Sequence, residues 1–334
     1  MINIGFFVRH FCERGTEVAV YDYAHYNETI LNNKSCIICF TPETQNALGF
    51  PADRISYNKF KARFHIIEIS SMNDMAGVIQ SRNLSFFYTL THGGGNDIYH
   101  FNDKNIWGTC KTIKHCVFDT KFPEADFYVS ISEMLNAKNK TNVPVIPHSA
   151  SLPDCNDNLR QELGIPGGAT VYGRYGGYDE FNIDIVHAAI RKYLSDGDAN
   201  VADNNSYFLF MNTARFHEHP RIIYLDKSLD PIYKVKFINT CDAMIHARQM
   251  GETFGLSIAE FSIRNKPIIT CMCGDTEHIK ILGERAIIYN STEDLLATFK
   301  NIKTIIKSSD DWNAYKSYSP DNIMALFKNY IFGN

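Results

Sequence analysis

The chain has 334 residues, a length typical of two domains, and its composition, 45% hydrophobic and 21% charged, is that of an ordinary globular protein. Its formal net charge of -4 argues against a strongly basic nucleic-acid-binding protein. No stretch approaches the roughly 18 uncharged apolar residues of a membrane-spanning helix. We therefore expect a cytoplasmic protein (host-cell cytoplasm if viral) with no nucleic-acid partner and no integral membrane segment.

The first half of the chain alternates strand-like runs with helical patterns, which favours a parallel sheet with crossover helices. The expected strands are "NIGFFV", "VAVYDY", "SCIICF", "FHIIEI", "FFYTL", "TIKHCVF" and "FYVSIS". A helix follows from Ser132. Three prolines in "NVPVIPHSASLPDCNDN" then interrupt the pattern as an interdomain linker does. We place the first Rossmann-like domain at residues 1–148.

A second α/β series follows the linker. "DNLRQELGIP" and "FNIDIVHAAIRKYL" predict helices, and "ATVYGR", "YFLFMN", "RIIYLD", "KVKFINTC", "AMIHA", "KPIITC" and "AIIYN" continue the α/β pattern as strands. This second Rossmann-like domain is placed at residues 149–312, followed by a terminal segment at 313–334. Ser319 and Pro320 predict the start of a helix there. Its expected apolar stripe is Ile323, Leu326, Phe327, Tyr330 and Ile331.

The cysteines also bear on the class of site. Two pairs, Cys36 with Cys39 and Cys271 with Cys273, lie in strand-like apolar runs. Residues i and i+3 of a strand point to opposite faces, and no second Cys-x-x-Cys stands at zinc-finger spacing. We interpret these cysteines as buried thiols and expect no metal site.

The first motif is "ATVYGRYGGYDEFNIDIVHAAI", a strand that enters a glycine-containing turn and then a helix. Glycines let backbone N–H groups approach an anion, and a helix N-terminus favours negative charge. Gly173 and Arg174 end the strand, where open α/β sheets bind ligands. The pattern predicts a phosphate site, and an ordinary tight turn with a surface arginine is the alternative.

The second motif is "HARQMGETFGLSIAEF", which places Glu252 on a loop and Glu260 in the helix that follows. The first amides of that helix have no helical acceptor and are suited to a phosphate. Carboxylates on either side of them can accept hydrogen bonds from sugar hydroxyls. A glycoside-hydrolase pair is the rival interpretation, but it needs both carboxylates at the reacting carbon.

Together the two motifs resemble the GT-B glycosyltransferases of the large retaining class, family 4, which carry a strand–"GR" loop and a Glu-x7-Glu segment in this order. The pattern is most similar to transferases of large DNA viruses and bacteria. The resemblance implies parallel sheets facing a central cleft and a C-terminal helix returning to the first domain. It also implies retaining transfer of a sugar from a nucleotide-diphosphate sugar to a glycan or other hydroxyl acceptor, without a cofactor.

The resemblance also assigns roles to residues of this sequence. Arg174 would neutralise the diphosphate, Glu252 would bind the donor sugar and Glu260 the ribose. His115 would lie near the sugar, so the implied catalytic residues are Glu252, Arg174 and His115. The implied donor-binding residues are Gly173, Arg174, Arg248, Glu252, Thr253, Phe254, Gly255, Leu256, Glu260 and, framing the base, Leu225.

The acceptor side is expected in the first domain. "LTHGGGND" places His92, Gly93 and Gly94 after a strand, and "YDYAHYNETI" supplies His25 and Tyr26. Hydroxyls and aromatic faces suit a carbohydrate. For each of these residues, and for His115, a purely structural role is the alternative.

One position departs from the family pattern. The family usually has a lysine a few residues after the arginine, whereas here Glu180 stands six residues on and no lysine follows until Lys192. We expect Arg248, or else Arg215, to replace that cation.

Two other functions stay open: a sugar-nucleotide epimerase of the same fold, and an inactive nucleotide-sugar-binding protein, which the missing lysine suggests. A Rossmann dehydrogenase is disfavoured because no Gly-x-Gly-x-x-Gly follows the first strand.

Overall fold

A computed structural model describes residues 1–12, 15–95, 98–196, 205–307 and 310–333. The chain forms two compact units. The first comprises Met1–Ser149 together with Tyr318–Asn334, and the second comprises Ala150–Ser317. Residues 313–317, which the sequence analysis assigns to the terminal segment, thus belong to the second unit. Tyr315 is buried there, and its hydroxyl donates to the Phe254 carbonyl at 2.7 Å.

The described part of the first unit contains a six-stranded parallel sheet in the order β3-β2-β1-β4-β5-β6. Its strands are β1 Asn3–Val8, β2 Lys34–Phe40, β3 Ile66–Ile69, β4 Phe86–Thr91, β5 Lys111–Cys116 and β6 Phe127–Ser130. Its helices are α1 Gly15–Thr29, α2 Pro42–Ala47, α3 Arg54–Arg63, α4 Met75–Arg82, α5 Lys104–Trp107 and α6 Glu133–Asn139.

The second unit repeats this topology. Its strands are β7 Thr170–Tyr175, β8 Ser206–Met211, β9 Ile222–Leu225, β10 Ala243–Ile245, β11 Gly251–Glu252, β12 Ile268–Thr270, β13 Asp275–Thr276 and β14 Ala286–Ile288. Its helices are α7 Asp184–Asp196, α8 Pro231–Thr240, α9 Leu256–Ile263, α10 Glu277–Leu282 and α11 Thr292–Ile305. The main sheet has the order β14-β12-β10-β7-β8-β9, and β11 pairs with β13. The helix α12 Pro320–Phe332 follows and lies in the first unit.

The two sheets confirm the predicted α/β class. Parallel strands covered by helices on both faces have near-continuous apolar sequences, as "GFFV" in β1 and "FLFM" in β8 do. In each sheet the strand order reverses between two central neighbours, β1 with β4 and β7 with β10. At such a reversal the loops after the two strands leave in opposite directions and open a crevice at the carboxyl edge of the sheet.

Three predicted elements are wrong. "KVKFINTC" lies in α8, except for its last residue, and not in a strand, and its buried residues include Val235 and Ile238 on one helical face. "VAVYDY" lies inside α1 and not in a strand, because its buried residues continue at helical spacing through Ala19, Val20, Tyr23, Ala24 and Asn27. "DNLRQELGIP" forms hydrogen-bonded turns and no helix, with Leu163 N bonded to Leu159 O and Ile165 N to Arg160 O. Gly164 and Pro166 follow too closely for a helix to propagate.

The terminal helix α12 begins as predicted, with Ser319 as N-cap and Pro320 in its first turn. Its buried residues are Ile323, Met324, Phe327 and Ile331. Leu326 and Tyr330 belong to the predicted apolar stripe but are 46% and 37% exposed. Met324, which the prediction omitted, is buried. Phe327 packs on Tyr23 and Tyr88 of the first unit, with ring centroids 5.5 and 6.0 Å apart.

In the described ranges no helix is both long and apolar enough to cross a membrane. Cys36 and Cys39 lie buried in β2, and burial raises the pKa of their thiols to about 11 and about 12.

Candidate functional site

A pocket opens in the second unit at the carboxyl ends of β7 and β10, where the strand order reverses. The space free of atoms within it, including the part that is open to solvent, is about 280 Å³. Its lining residues are Arg174, Tyr175, Gly176, Glu180, Met244, His246, Ala247, Arg248, Glu252 and Ser257. This is the position at which open α/β sheets bind their ligands.

Arg174 is the last residue but one of β7 and is only 4% exposed. Its guanidinium donates to the carbonyls of Asn212 and Gly177 at 3.1 and 2.7 Å and to the Thr213 hydroxyl at 2.6 Å. Among the described residues no carboxylate forms an ion pair with it. Burial lowers the pKa of Arg174 to about 10, so it still carries its charge at neutral pH. The pocket thus contains a rigidly held cation whose direct partners are neutral, an arrangement that suits an anionic ligand.

Arg248 lies between two carboxylates. One terminal nitrogen is 3.0 Å from Glu180 Oε1, and the other is 3.0 Å from Glu252 Oε2 and 3.1 Å from the Gly251 carbonyl. Glu180 is thus neutralised by Arg248. The alternative cation, Arg215, is 62% exposed and pairs with Glu218.

Glu252 lies in β11 with 17% of its side chain exposed. Burial alone would raise its pKa, but the adjacent His246 and the charge of Arg248 outweigh burial and hold the pKa of Glu252 below its usual 4.5. Its Oε1 is 3.4 Å from His246 Nε2. Glu252 is therefore an ionised carboxylate with a neighbour at each oxygen.

A row of buried side chains continues behind Glu252. His246 Nδ1 is 2.9 Å from Thr270 Oγ1, which is 3.1 Å from His278 Nε2. The Tyr289 hydroxyl donates to the His246 carbonyl at 2.9 Å. Burial lowers the pKa of His278 to about 3, so this imidazole is neutral. The sequence analysis assigned none of these residues; His246 alone had a signal, as a polar side chain at the end of β10.

Two residues that line the pocket have a buried polar atom without a hydrogen-bond partner within the described part of the chain. The atoms are Tyr175 Oη and Arg248 Nε. A buried polar group without a partner costs about 1–3 kcal/mol, and such groups are infrequent in native proteins. Their position in one pocket favours a polar ligand.

Glu260 lies on α9 beside this pocket and is 6% exposed. Lys234 of α8 is 2.7 Å from its Oε1, and the Lys234 ammonium lies 5.6 Å from the ring centre of Tyr175, the residue after Arg174. The sequence analysis did not single out Lys234. A ligand group that binds Glu260 would therefore also lie close to the Lys234 ammonium.

The glycines of the two motifs have different roles. A Cβ on Gly173 would be 2.2 Å from Cys241 Sγ, so this glycine permits close packing of β7 on the end of α8. Gly255 has a φ of +86° and precedes the first residue of α9. Only glycine adopts that backbone readily, and it leaves the first amides of α9 without helical acceptors.

The remaining donor-side residues lie around this turn and at the end of β9. Thr253 and Phe254 are buried, and the Phe254 ring packs on Tyr315 with centroids 5.4 Å apart. Leu256 begins α9. Leu225 ends β9, and its carbonyl accepts from Asn212 N at 3.1 Å.

His115 lies inside the first unit, at the sheet interior of β5. Its Nδ1 is 2.8 Å from the Tyr88 hydroxyl and its Nε2 is 2.9 Å from the Ile146 carbonyl. Burial lowers the pKa of His115 to about 3. Both ring nitrogens are therefore occupied by the protein, an arrangement that fits the structural alternative.

The acceptor-side candidates lie at two different edges of the first sheet. His92, Gly93 and Gly94 follow the carboxyl end of β4, and the buried Lys114 ammonium donates to the Gly94 carbonyl at 3.2 Å. The sequence analysis missed Lys114, although a charge inside an apolar strand was its signal.

His25 and Tyr26 lie instead in the last turns of α1. There Asn27 Nδ2 is 2.9 Å from Ser35 Oγ at the amino end of β2. The fold therefore does not bring His25 and Tyr26 together with the loop at His92.

Solved structures match almost the whole chain. A glycosyltransferase from Rickettsia africae ESF-5 is 14% identical, covers 98% of this chain and 94% of its own, and has a TM-score of 0.66. HepE from Anabaena, in complex with UDP-glucose, is 14% identical over 99% and 95%, with a TM-score of 0.64. A putative UDP-N-acetylglucosamine 2-epimerase from Listeria monocytogenes is 12% identical over 100% and 97%, with a TM-score of 0.62.

No protein-family model and no curated protein matches the sequence. At these identities the solved structures show the fold alone. The chain has the GT-B fold, which glycosyltransferases and UDP-N-acetylglucosamine 2-epimerases share.

Proposed function

We propose that this protein is a retaining glycosyltransferase that takes a hexosyl or pentosyl group from a nucleotide-diphosphate sugar. The observation that carries the proposal is the buried Arg174 cation facing the same pocket as the ionised Glu252. A cation such as Arg174 suits a diphosphate, and a carboxylate such as Glu252 can accept hydrogen bonds from sugar hydroxyls. The GT-B fold, and UDP-glucose in HepE, support a uridine nucleotide as the first donor to test.

In the proposed complex Arg174 binds the diphosphate together with the first amides of α9. Glu252 accepts hydrogen bonds from the sugar and Glu260 from the ribose, while Leu225 borders the base. As the bond from the sugar to the phosphate breaks, negative charge grows on the leaving phosphate. Arg174 and the helix amides stabilise that charge, and the phosphate takes the proton of the attacking acceptor hydroxyl on the same face.

The acceptor is proposed to be a carbohydrate or glycoconjugate hydroxyl. We assign it to the loop at His92, Gly93 and Gly94, because that loop lies at the carboxyl edge of its sheet, as the donor pocket does in the second unit.

The test is a thermal-shift and hydrolysis screen against a panel of nucleotide sugars that begins with UDP-glucose, run on the wild type and on Glu252→Gln. We expect at least one donor to raise the melting temperature and Glu252→Gln to weaken its binding at least tenfold, since a hydrogen bond to a charged group is worth about 1.5–3 kcal/mol. Glu284→Gln, an exposed position in the same unit, is the matched control. No shift with any donor would refute the proposal, and binding without turnover on a broad acceptor panel would favour an inactive binding protein.

Arg248 is proposed as the cation that replaces the family's lysine. Arg248→Ala should then weaken both UDP and UDP-glucose, as measured by calorimetry. If UDP binding is unchanged while UDP-glucose binding falls, Arg248 acts only by holding Glu252, to which it is paired.

A sugar-nucleotide epimerase is the second candidate, because the adjacent His246 and Glu252 form an acid–base pair of the kind this reaction requires. Proton NMR of UDP-N-acetylglucosamine incubated with the enzyme and no acceptor separates the two. Formation of an epimer favours this candidate, and an unchanged sugar favours the transferase.

A further inference from the structure

We propose that His246 is a positioning residue that fixes the carboxylate of Glu252 for the sugar of the donor, with Thr270 and His278 fixing the imidazole in turn. The inference rests on the proposed function, because it names the group that orients the sugar-binding carboxylate. Its basis is the unbroken row Glu252, His246, Thr270, His278, with successive separations of 3.4, 2.9 and 3.1 Å.

The inference requires a proton on His246 Nε2, the nitrogen 3.4 Å from Glu252 Oε1. The Thr270 hydroxyl lies between the two imidazoles and, with a single proton, donates to only one of them. If Thr270 donates to His246 Nδ1, the proton of His246 is on Nε2 and faces Glu252.

If Thr270 donated to His278 instead, His246 would donate from Nδ1 to Thr270, and its Nε2 would hold the carboxylate only in the imidazolium form. A lone pair on Nε2 would place two acceptors 3.4 Å apart in a buried site. The separation of 3.4 Å is long for a hydrogen bond, which is common for functional contacts in the absence of ligand.

The row also explains why Glu252 needs two supports. Arg248 holds Oε2 from the pocket side, and without His246 the carboxylate could rotate about its last side-chain bond. With both oxygens held, the remaining lone pairs have fixed directions. A sugar ring whose hydroxyls match those directions would bind without first ordering the side chain.

The test compares His246→Gln, which keeps a donor near the Nε2 position, with His246→Met, which has no donor. UDP-glucose and UDP affinities are measured by calorimetry. We expect His246→Met to weaken UDP-glucose about tenfold and leave UDP within twofold, and His246→Gln to restore most of the loss. His187→Gln is the matched control, because His187 is a half-buried histidine of the same unit whose imidazole hydrogen-bonds the Phe181 carbonyl.

A double-mutant cycle with Glu252→Gln distinguishes positioning from direct contact. If His246 acts through Glu252, His246→Met has little further effect in the Glu252→Gln protein. Equal losses in both backgrounds, or an equal loss for UDP, would overturn the inference. Thr270→Val, which removes only the central hydroxyl, replaces His246→Met if the latter does not fold and should give a smaller loss in the same direction.

Nitrogen-15 NMR of labelled histidine reports the tautomer without any ligand. His246 protonated on Nδ1 alone would overturn the inference whatever the protein binds. If the wild type binds no nucleotide sugar, the proposed function fails and the inference fails with it. If the wild type binds UDP-glucose and His246→Met binds it equally well, only the inference fails.

Discussion

Three buried histidines make the stability of the fold depend on pH. Burial lowers the pKa of His115 to about 3, of His148 to about 4 and of His278 to about 3. Each is held neutral inside the fold, whereas in the unfolded chain a histidine takes up its proton near pH 6.5. The unfolded state therefore binds more protons once the pH falls below 6.5, and stability is lost in that direction.

The first prediction is that the free energy of unfolding falls as the pH is lowered. Between pH 8 and pH 5 each of these histidines should contribute a loss of about 2 kcal/mol in the free energy of unfolding. His148→Gln should therefore show a smaller loss over that interval than the wild type, by about the same amount, in urea unfolding at the two pH values. His100→Asn, at an exposed position, should keep the wild-type loss. Parallel pH profiles for wild type and His148→Gln would contradict the assignment.

At the same scale, the sequence predicts some site residues and not others for a physical reason. Arg174 and Glu252 could be located because Arg174 lies near the carboxyl end of one strand and Glu252 shortly after another, and strand ends meet at one edge of a parallel sheet. Their partners could not be predicted. That Glu180 binds Arg248, or that Thr270 lies between two histidines, depends on which elements pack side by side, and spacing along the chain does not contain that information.

At the scale of elements, the contact between β7 and the end of α8 positions the cation of the pocket. Gly173 lies against Cys241, which allows β7 to run close beneath α8 before Arg174 turns into the pocket. The sequence analysis interpreted Gly173 through its backbone and a phosphate. The side-chain neighbour that explains the glycine is 68 residues away in sequence and has no local signal.

The second prediction follows from this contact. Gly173→Ala should destabilise the protein by about 1–3 kcal/mol, since the added methyl overlaps the Cys241 sulfur in a packed core. Cys241→Ala should recover part of that loss in the double variant, as measured by urea unfolding. Gly77→Ala in α4, with open space around it, should be neutral or stabilising. Additive losses in the double variant would mean that the sulfur is not the obstacle.

The wrong prediction of a strand at "VAVYDY" is also explained at the scale of elements. Its valines and tyrosines favour a strand locally, and short apolar runs do not distinguish the two periods. Helical burial becomes evident only when the window extends to Asn27, a buried polar residue that a search for apolar periodicity passes over.

At the scale of the whole molecule, the chain leaves its first unit at Ser149 and returns to it at Tyr318. The parallel sheets were predictable, because strand-like and helix-like segments alternate along the sequence. Which face of α12 is buried was less so, because Leu326 and Tyr330 are as apolar as the residues that pack. Only the shape of the surface around Tyr23 and Tyr88 decides between them.

The third prediction concerns that return. Phe327→Ala should lower the free energy of unfolding of the first unit by about 3–5 kcal/mol, since it empties a contact with two buried tyrosines. Leu326→Ala, on the exposed side of the same helix, should cost under about 1 kcal/mol. Thermal unfolding of both variants provides the comparison, and equal losses would place α12 in a different orientation.

Because α12 belongs to the first unit but follows the second unit in sequence, the second unit is completed first during synthesis on the ribosome. The second unit is continuous in sequence and can fold as soon as it has left the ribosome. The first unit cannot be completed until α12 has also been synthesised. Translation proceeds at about 5–20 residues per second, so the first unit stays incomplete for roughly ten to forty seconds, with Tyr23 and Tyr88 uncovered. A message truncated before α12 would thus release a complete second unit with an incomplete first unit, and that product is one for chaperones or proteases to recognise.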